Sequence, residues 1–156
     1  VHSDSYIDKL TKQINNINEA LSILWEFDND HQRINFPKDS QNYDEFKKRI
    51  LKEYEEEPEG FFLIYDGGKV IGQLFLKIRF NLYRNKKYGE VRNIHLSPEN
   101  RGKGYGISLL EFADKYFKNK GCGYALAGVS NFNPASNTLF EKSGYERTRI
   151  ILEKKY

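Results

Sequence analysis

The sequence has little of the chemistry that disulfides and membrane spans require. It contains one cysteine in 156 residues, Cys122, so no disulfide can form within these residues, and a reducing cytoplasm is the expected compartment. Apolar residues make up only 38% of the chain, and the longest apolar runs, such as 61–65, have the length of a strand. The sequence therefore predicts neither a transmembrane segment nor a signal-like amino terminus, and no membrane partner.

The scarcity of aliphatic residues is offset by aromatic ones. The chain has 11 Phe, 11 Tyr and one Trp, so its core is expected to rely on aromatic side chains. Its length suits one hydrophobic core, and we predict a single domain over residues 1–156.

Charge is distributed unevenly along the chain. Residues 1–60 carry 8 Lys and Arg against 14 Asp and Glu, whereas residues 61–156 carry 17 against 8. The basic part suits an anionic ligand and the acidic part a cationic one, although solvated helix faces would give the same counts. The basic residues are not interleaved with aromatic ones in one stretch, so no nucleic-acid partner is expected.

Hydrophobic periodicity predicts the element order β-α-α-β-β-β-α-β-α-β. The predicted strands are 6–10, 61–65, 70–80, 91–96, 124–129 and 145–152, and the predicted helices run from Asn16 or Asn18 to about 27, over 43–54, from a glycine-rich loop to 118, and up to 142. A helix lies between the fourth and fifth strands, so these two strands should be parallel. The fold class is a mixed α/β (α+β) sheet covered by helices on both faces.

A glycine-rich loop joins the fourth strand to the next helix. Glycine occupies the alternate positions 102, 104 and 106, and Arg101 and Lys103 flank the first of them. Glycine lets the backbone approach a ligand closely, and the first turn of a helix leaves amide donors without partners. The loop is therefore predicted to bind a phosphate, unless it is an ordinary strand-to-helix turn.

Spacing within the loop discriminates between phosphate ligands. A Walker A motif needs Ser or Thr after its lysine, but Gly104 follows Lys103, and the dinucleotide fingerprint spaces its glycines differently. The pattern Arg/Gln-x-x-Gly-x-Gly/Ala does fit, at Arg101, Gly104 and Gly106. It resembles the pyrophosphate loop of the GNAT superfamily of N-acetyltransferases, which bind acetyl-CoA.

A second motif lies downstream. Residues 133–145 read Asn-Pro-Ala-Ser-Asn-Thr-Leu-Phe-Glu-Lys-Ser-Gly-Tyr and resemble the GNAT carboxy-terminal motif Asn-x-x-Ala-x-x-Leu-Tyr-x-Lys-x-Gly-Phe. The matching residues are Asn133, Leu139, Lys142 and Gly144, and the departures are Ser136, Phe140 and Tyr145. The two motifs occur in the order of the superfamily, with a predicted strand between them.

The resemblance implies a GNAT fold, with a mostly antiparallel sheet, a splayed parallel strand pair and acetyl-CoA held between those strands. It implies that backbone groups of Ile94, His95 and Leu96 hold the pantetheine arm and the acetyl carbonyl, and that the Leu96 amide contacts the oxyanion. It assigns the pyrophosphate to the amides of Arg101, Gly102, Lys103, Gly104, Tyr105 and Gly106, and further cofactor contacts to Asn133, Ser136 and Lys142. Lys142 is otherwise an ordinary surface lysine.

Acetyl transfer needs a neutral amine, and Glu90 is the candidate base. It precedes Arg101 by 11 residues, the spacing at which some histone-acetylating members of the superfamily place their catalytic glutamate. The alternatives are that Glu90 pairs with Arg92 or is solvated, and that water accepts the proton. Strict strand alternation places His95 on the opposite face from Glu90, where a packed or surface histidine is expected.

Two departures concern the proton donor and the base. Phe140 stands where many relatives have a tyrosine acid, and Gly128 stands where the ribosomal-protein acetyltransferase subgroup has a glutamate. The CoA thiol, with a pKa of about 8.5, either leaves without a protein acid or takes a proton from Ser136 or Tyr105.

The predicted function is direct transfer of an acetyl group from acetyl-CoA to a primary amine of a small molecule or protein, without a metal. The alternative is a non-catalytic sensor or regulator that binds an acyl-CoA. The final strand offers an edge for a homodimer, but the sequence leaves the oligomeric state open.

Overall fold

The protein forms one mixed sheet with helices on both faces. A computed structural model describes residues 4–156, in which five strands pair in the order β1-β2-β3-β4-β5. The strands are β1 Thr11–Gln13, β2 Phe61–Asp66, β3 Lys69–Asn81, β4 Lys86–Leu96 and β5 Tyr124–Ala127, and the α-helices are α1 Asp4–Leu10, α2 Ile17–Asn35, α3 Tyr43–Glu56, α4 Tyr105–Asn119 and α5 Pro134–Lys142. The mixed fold class predicted from the sequence is confirmed.

Among residues 4–156, β4 and β5 form the only parallel pair, as the helix between them predicts. Its register runs from Tyr88 opposite Tyr124 to Val91 opposite Ala127. Strand β4 continues to Leu96, whereas β5 ends at Ala127. Within the described residues, 92–96 therefore has no β5 partner, and the pairing of the two strands ends at Val91 and Ala127.

A β-bulge in β4 changes which way its side chains point. Phe75 pairs with Asn93 and Leu76 pairs with Val91, so Arg92 is an extra residue in β4. One inserted residue shifts the two-residue alternation of a strand. Glu90 and His95 consequently lie on the same face, and the prediction that they lie on opposite faces was wrong.

Each face of the sheet covers its own core cluster. The α4 side contains Ile7, Phe62, Ile64, Ile71, Leu74, Leu76, Val91, Tyr105, Leu109, Leu110, Ala113, Phe117 and Phe140. The side facing α2 and α3 contains Ile14, Ile17, Ala20, Leu21, Leu24, Phe46, Ile50, Phe61, Leu63 and Phe75. Aromatic rings pack closely here, and the centroids of Phe61 and Phe75 are 4.5 Å apart. Burial of each large apolar side chain contributes about 1.5–3 kcal/mol.

Asparagine side chains fix the starts of α2 and α3. Asn16 Oδ1 accepts hydrogen bonds from the amides of Asn18 and Glu19 at 3.1 and 3.4 Å, and Asn42 Oδ1 accepts one from Glu45 at 3.1 Å. The sequence predicted the end of α2 near residue 27, but the helix continues to Asn35. Its last two turns are mostly polar, so no apolar period marked them.

Two strand predictions were wrong. Residues 6–10 belong to α1, which places Ile7 and Leu10 against the α4-side core, and the first strand begins at Thr11. Residues 145–152 form no strand, and Ile150, Ile151 and Leu152 are 87–92% exposed. Residues with strand propensity do not form a strand unless they pair with a neighbouring strand.

Candidate active site

The loop that leads into α4 uses its glycines in two ways. Gly102 and Gly104 have φ angles of +76° and +85°, a left-handed conformation that side chains disfavour, and Gly104 is the N-cap of α4. Gly106 lies against α5, because a Cβ there would approach the Leu139 side chain to 3.0 Å. The first two glycines therefore shape the backbone at the positive end of α4, and the third permits close helix packing.

The side chain of Arg101 connects the start of this loop to β4 and to α2 through hydrogen bonds. Its Nε donates to the carbonyl of Leu96 at 2.9 Å, and its Nη2 donates to Asp30 Oδ2 at 2.7 Å. Its backbone amide donates to the carbonyl of Pro98 at 3.3 Å. Because the Arg101 amide already donates to Pro98, the amides that follow it are better candidates than Arg101 for binding an anion.

Asp30, on α2, is the point where three groups meet. Its Oδ2 contacts Arg101 and also lies 3.1 Å from His95 Nε2, while its Oδ1 pairs with Arg33 at 3.3 Å. Burial opposes the charged form of Asp30, but the Arg101 hydrogen bond and the nearby positive charges lower its pKa overall.

His95 is almost fully enclosed on this face. Burial lowers its pKa to about 4 and outweighs the opposing effect of Asp30, so the imidazole is neutral at pH 7. Its ring centroid is 5.2 Å from that of Phe27. Nε2 is close to Asp30 but outside hydrogen-bonding geometry, so the pair is an electrostatic contact.

Glu90 lies in the paired half of β4, opposite Leu126 of β5. Its two oxygens are each 3.5 Å from a guanidinium nitrogen, one of Arg79 and one of Arg92. Arg92 also pairs with Glu53 of α3 at 2.8 Å. The predicted partner Arg92 is therefore present, with a second arginine beside it.

A buried polar pair lies between Glu90 and His95. Gln73 Nε2 donates to Asn93 Oδ1 at 2.8 Å, and Gln73 is 1% exposed. With Glu90 and His95, these residues form a polar strip on the α2 and α3 face of β3 and β4. Sequence reasoning missed Asp30, Gln73 and Asn93, and the only available signal was the polar second half of α2.

The tyrosines near the motifs are poorly placed to donate a proton. The hydroxyl of Tyr105 donates to Asp66 at 3.2 Å beside the β2–β3 turn, and burial raises its pKa to about 12. Phe140 is buried in the core, with its ring centroid 5.0 Å from that of Tyr145. Burial also raises the pKa of Tyr145 to about 12.

The remaining predicted cofactor residues belong to α5. Asn133 is the N-cap of this helix, and its Oδ1 accepts a hydrogen bond from the Ser136 amide at 3.0 Å. Lys142 is exposed in the last turn. Leu139 packs on Gly106, so α5 is held against the start of α4. Gly128, just after β5, faces open space.

The part of the chain that the structure describes holds neither a metal-binding cluster nor a membrane-spanning helix. Among residues 4–156 there is no group of three or more His, Cys, Asp or Glu side chains arranged to hold a metal ion. No helix in the same part of the chain combines the length and apolar character needed to cross a bilayer.

Sequence comparison finds a match to the model of the acetyltransferase (GNAT) family over residues 18–145. Mycothiol acetyltransferase of Catenulispora acidiphila is 30% identical over 92 residues, which cover 58% of this chain and 29% of that protein. The same enzyme of Geodermatophilus obscurus is 30% identical over 95 residues, covering 60% and 31%. The chain thus matches about a third of the length of these curated relatives.

Structural comparison finds the same fold at low sequence identity. An aminoglycoside 6'-N-acetyltransferase of Acinetobacter haemolyticus superposes with a TM-score of 0.72 at 17% identity, covering 94% of this chain and 97% of that one. A putative acetyltransferase of Agrobacterium tumefaciens gives 0.70 at 19% identity, covering 94% and 99%. At these identities the likeness establishes the fold alone.

Proposed function

Because the chain belongs to the acetyltransferase (GNAT) family, we propose that it transfers an acetyl group from acetyl-CoA to a primary amine. The observation that carries this proposal is the end of the β4–β5 pairing at Val91, on the strand that leads to the glycine loop. Residues 92–96 lack a β5 partner among the described residues, and the same strand leads through Pro98–Asn100 into the amino end of α4. An extended ligand with an anionic end matches that combination.

The chemistry of the loop fits acetyl-CoA. Two left-handed glycines expose backbone at the positive end of α4, and this part of the chain is basic overall. We assign the pyrophosphate to the loop amides, chiefly those of 102–106, and the pantetheine arm to backbone groups of 94–96. Asn133, Ser136 and Lys142 are the proposed contacts from α5. The bound cosubstrate supplies the thioester, and the protein supplies orientation and proton transfer.

The acceptor must lose a proton before it can attack. An alkylamine with a pKa of about 10.4 costs roughly 4 kcal/mol to deprotonate at pH 7.4. We propose Glu90 as the base. His95 is the second candidate, because the bulge turns it to the same face, in the half of β4 that pairs with β3 but not with β5. The Leu96 amide would stabilise the oxyanion, and the low pKa of a thiol lets it leave without a tyrosine acid.

The acceptor is proposed to be a cation, from a small molecule or a protein. Helices α2 and α3 cover the polar strip, and the first 60 residues, which contain them, have six more acidic than basic side chains. An aminoglycoside 6'-N-acetyltransferase has the same fold, so the fold can accommodate an amine acceptor. A cytoplasmic location and a homodimer remain predictions.

Mass spectrometry of an amine and peptide panel incubated with acetyl-CoA tests the proposal. We expect an acetylated product with the wild type, and a loss of about 100-fold or more with Gly104→Val, because valine is strained in the left-handed conformation that Gly104 adopts. Gly121→Val is the matched control, since Gly121 has a φ angle of +79° at the other end of α4. Acetyl-CoA binding without any product would favour the sensor alternative.

The same assay discriminates between the two bases. If Glu90 is the base, Glu90→Gln lowers kcat by about 100-fold or more and His95→Gln has a smaller effect. The reverse order assigns proton transfer to His95. Equal and small effects would leave the proton to water and contradict both assignments.

A further inference from the structure

We propose that Asp30 is a positioning residue that holds the cofactor loop in its binding conformation. The identity of the ligand, acetyl-CoA, rests on the function proposed above. Asp30 lies on α2, 71 residues before Arg101, and no sequence motif includes it. Its role follows from the contacts of one carboxylate oxygen.

The oxygen Asp30 Oδ2 joins α2 to the loop and to β4. It accepts a hydrogen bond from Arg101 Nη2 at 2.7 Å and contacts His95 Nε2 at 3.1 Å. The side chain of Asp30 is 22% exposed and that of Arg101 is 40% exposed, so water screens this contact less than it screens a fully exposed ion pair, but still partly. One carboxylate thus connects three elements of the site.

Arg101 transmits this contact to the backbone. While Nη2 binds Asp30, Nε donates to the carbonyl of Leu96, the last residue of β4. The guanidinium is planar, so fixing one nitrogen orients the other. The loop entrance and the end of the strand are thereby held at a set separation, directly before the two left-handed glycines.

Removing the carboxylate has a predictable consequence for the ligand site. Without the Asp30 carboxylate, the Arg101 guanidinium keeps its hydrogen bond to the neutral Leu96 carbonyl but loses its ion pair with α2. The loop then samples other conformations, and the ligand must select the binding-competent one. The apparent affinity is then the intrinsic affinity multiplied by the fraction of molecules in that conformation.

The same helix provides a matched control. Asp28 pairs with Arg49 of α3 at 3.1 Å and is also largely buried, but its partner is a helix residue and not part of the loop. Asp28→Asn therefore removes a comparable ion pair on α2 and leaves the loop contact in place. A purely structural role for Asp30 predicts that both variants behave alike.

The experiment is a double-mutant cycle read by calorimetry with acetyl-CoA. We expect Asp30→Asn and Arg101→Gln each to weaken binding by about tenfold, which corresponds to the loss of one charge-assisted contact. The double variant should be no weaker than either single variant, because the two residues act as one unit. Asp28→Asn should bind within about twofold of the wild type.

Steady-state kinetics provide the second measurement. The KM for acetyl-CoA should rise in Asp30→Asn while kcat at saturating acetyl-CoA changes much less, and Asp30→Glu should recover part of the loss. Thermal unfolding of each variant checks that it is folded. If Asp30→Asn does not fold, Asp30→Glu and Arg101→Gln carry the same comparison.

Three results separate the possible failures. A wild type that does not bind acetyl-CoA overturns the proposed function and the ligand assignment together. A wild type that binds, with an Asp30→Asn variant of equal affinity, overturns only the role of Asp30. Equal weakening by Asp28→Asn, or additive losses in the double variant, would show a general effect of α2 and also overturn it.

Discussion

The two faces of the sheet are built from different chemistry. On the α4 side, β4 and its neighbours bury apolar residues such as Leu74, Leu76 and Val91 against the helix. On the other side, the apolar core beneath α2 and α3 gives way along β4 to the polar strip and to Asp30. The first face supplies stability through burial, and the second uses paired polar groups whose arrangement depends on several elements at once.

The largest expected effect on stability comes from a cavity in the apolar core on the α4 side. Leu109 is fully buried on α4, so Leu109→Ala should lower the free energy of unfolding by about 2–5 kcal/mol through lost burial and a cavity. Leu82→Ala is the control, because Leu82 is 83% exposed in the β3–β4 turn and should change stability by less than about 0.5 kcal/mol. Urea unfolding measures both, and equal losses would contradict the assigned core.

The second prediction concerns pH and the polar face. His95 has a pKa of about 4 in the fold, below its usual 6.5, so the unfolded chain binds the proton more readily. Stability from neutral His95 is complete above pH 6.5 and is lost as pH falls toward 4. The loss between pH 7 and pH 5 should be about 2 kcal/mol.

Comparison with His95→Gln isolates this contribution. Asp30 favours the charged imidazole, whereas Arg101, His31 and Arg33 oppose it, and burial is the largest effect. Since the pKa of His31 is also lowered by burial, the variant should keep a shallower pH dependence and not lose it entirely. Identical pH profiles by urea unfolding would show that His95 is not held neutral.

The smallest expected effect involves a segment that belongs to neither face. Removal of residues 149–156 should change the free energy of unfolding by less than about 0.5 kcal/mol, because these residues form no strand and their side chains are exposed. A loss of several kcal/mol would instead support the strand that the sequence predicts at 145–152. Thermal unfolding and sedimentation of both forms provide the measurement.

The sequence predicted one face of the sheet far better than the other. The apolar period of α4 and the spacing of Gly102, Gly104 and Gly106 identified the loop and its helix, since both signals are local. The contact of Asp30 with Arg101 joins residues far apart in the chain, so no local pattern predicts it. The second half of α2 was missed because its inward side chains are polar, including Asp28 and Asn35.

The bulge in β4 was equally beyond local reasoning. No sequence pattern around Arg92 predicts a bulge there. Strict alternation therefore placed His95 on the wrong face relative to Glu90. The terminal strand failed for the opposite reason: its residues have strand propensity, but they pair with neither β1 nor β5, the two edge strands of the described sheet.

The extra residue at Arg92 also makes the length of β4 a condition for function. With the bulge retained, insertion of one more residue after Arg92, in regular alternation, would turn Asn93 and His95 toward α4, while Ile94 and Leu96 would face the helices opposite. Among homologous sequences, the segment between Glu90 and Leu96 should therefore accept many replacements but hardly any single-residue insertion.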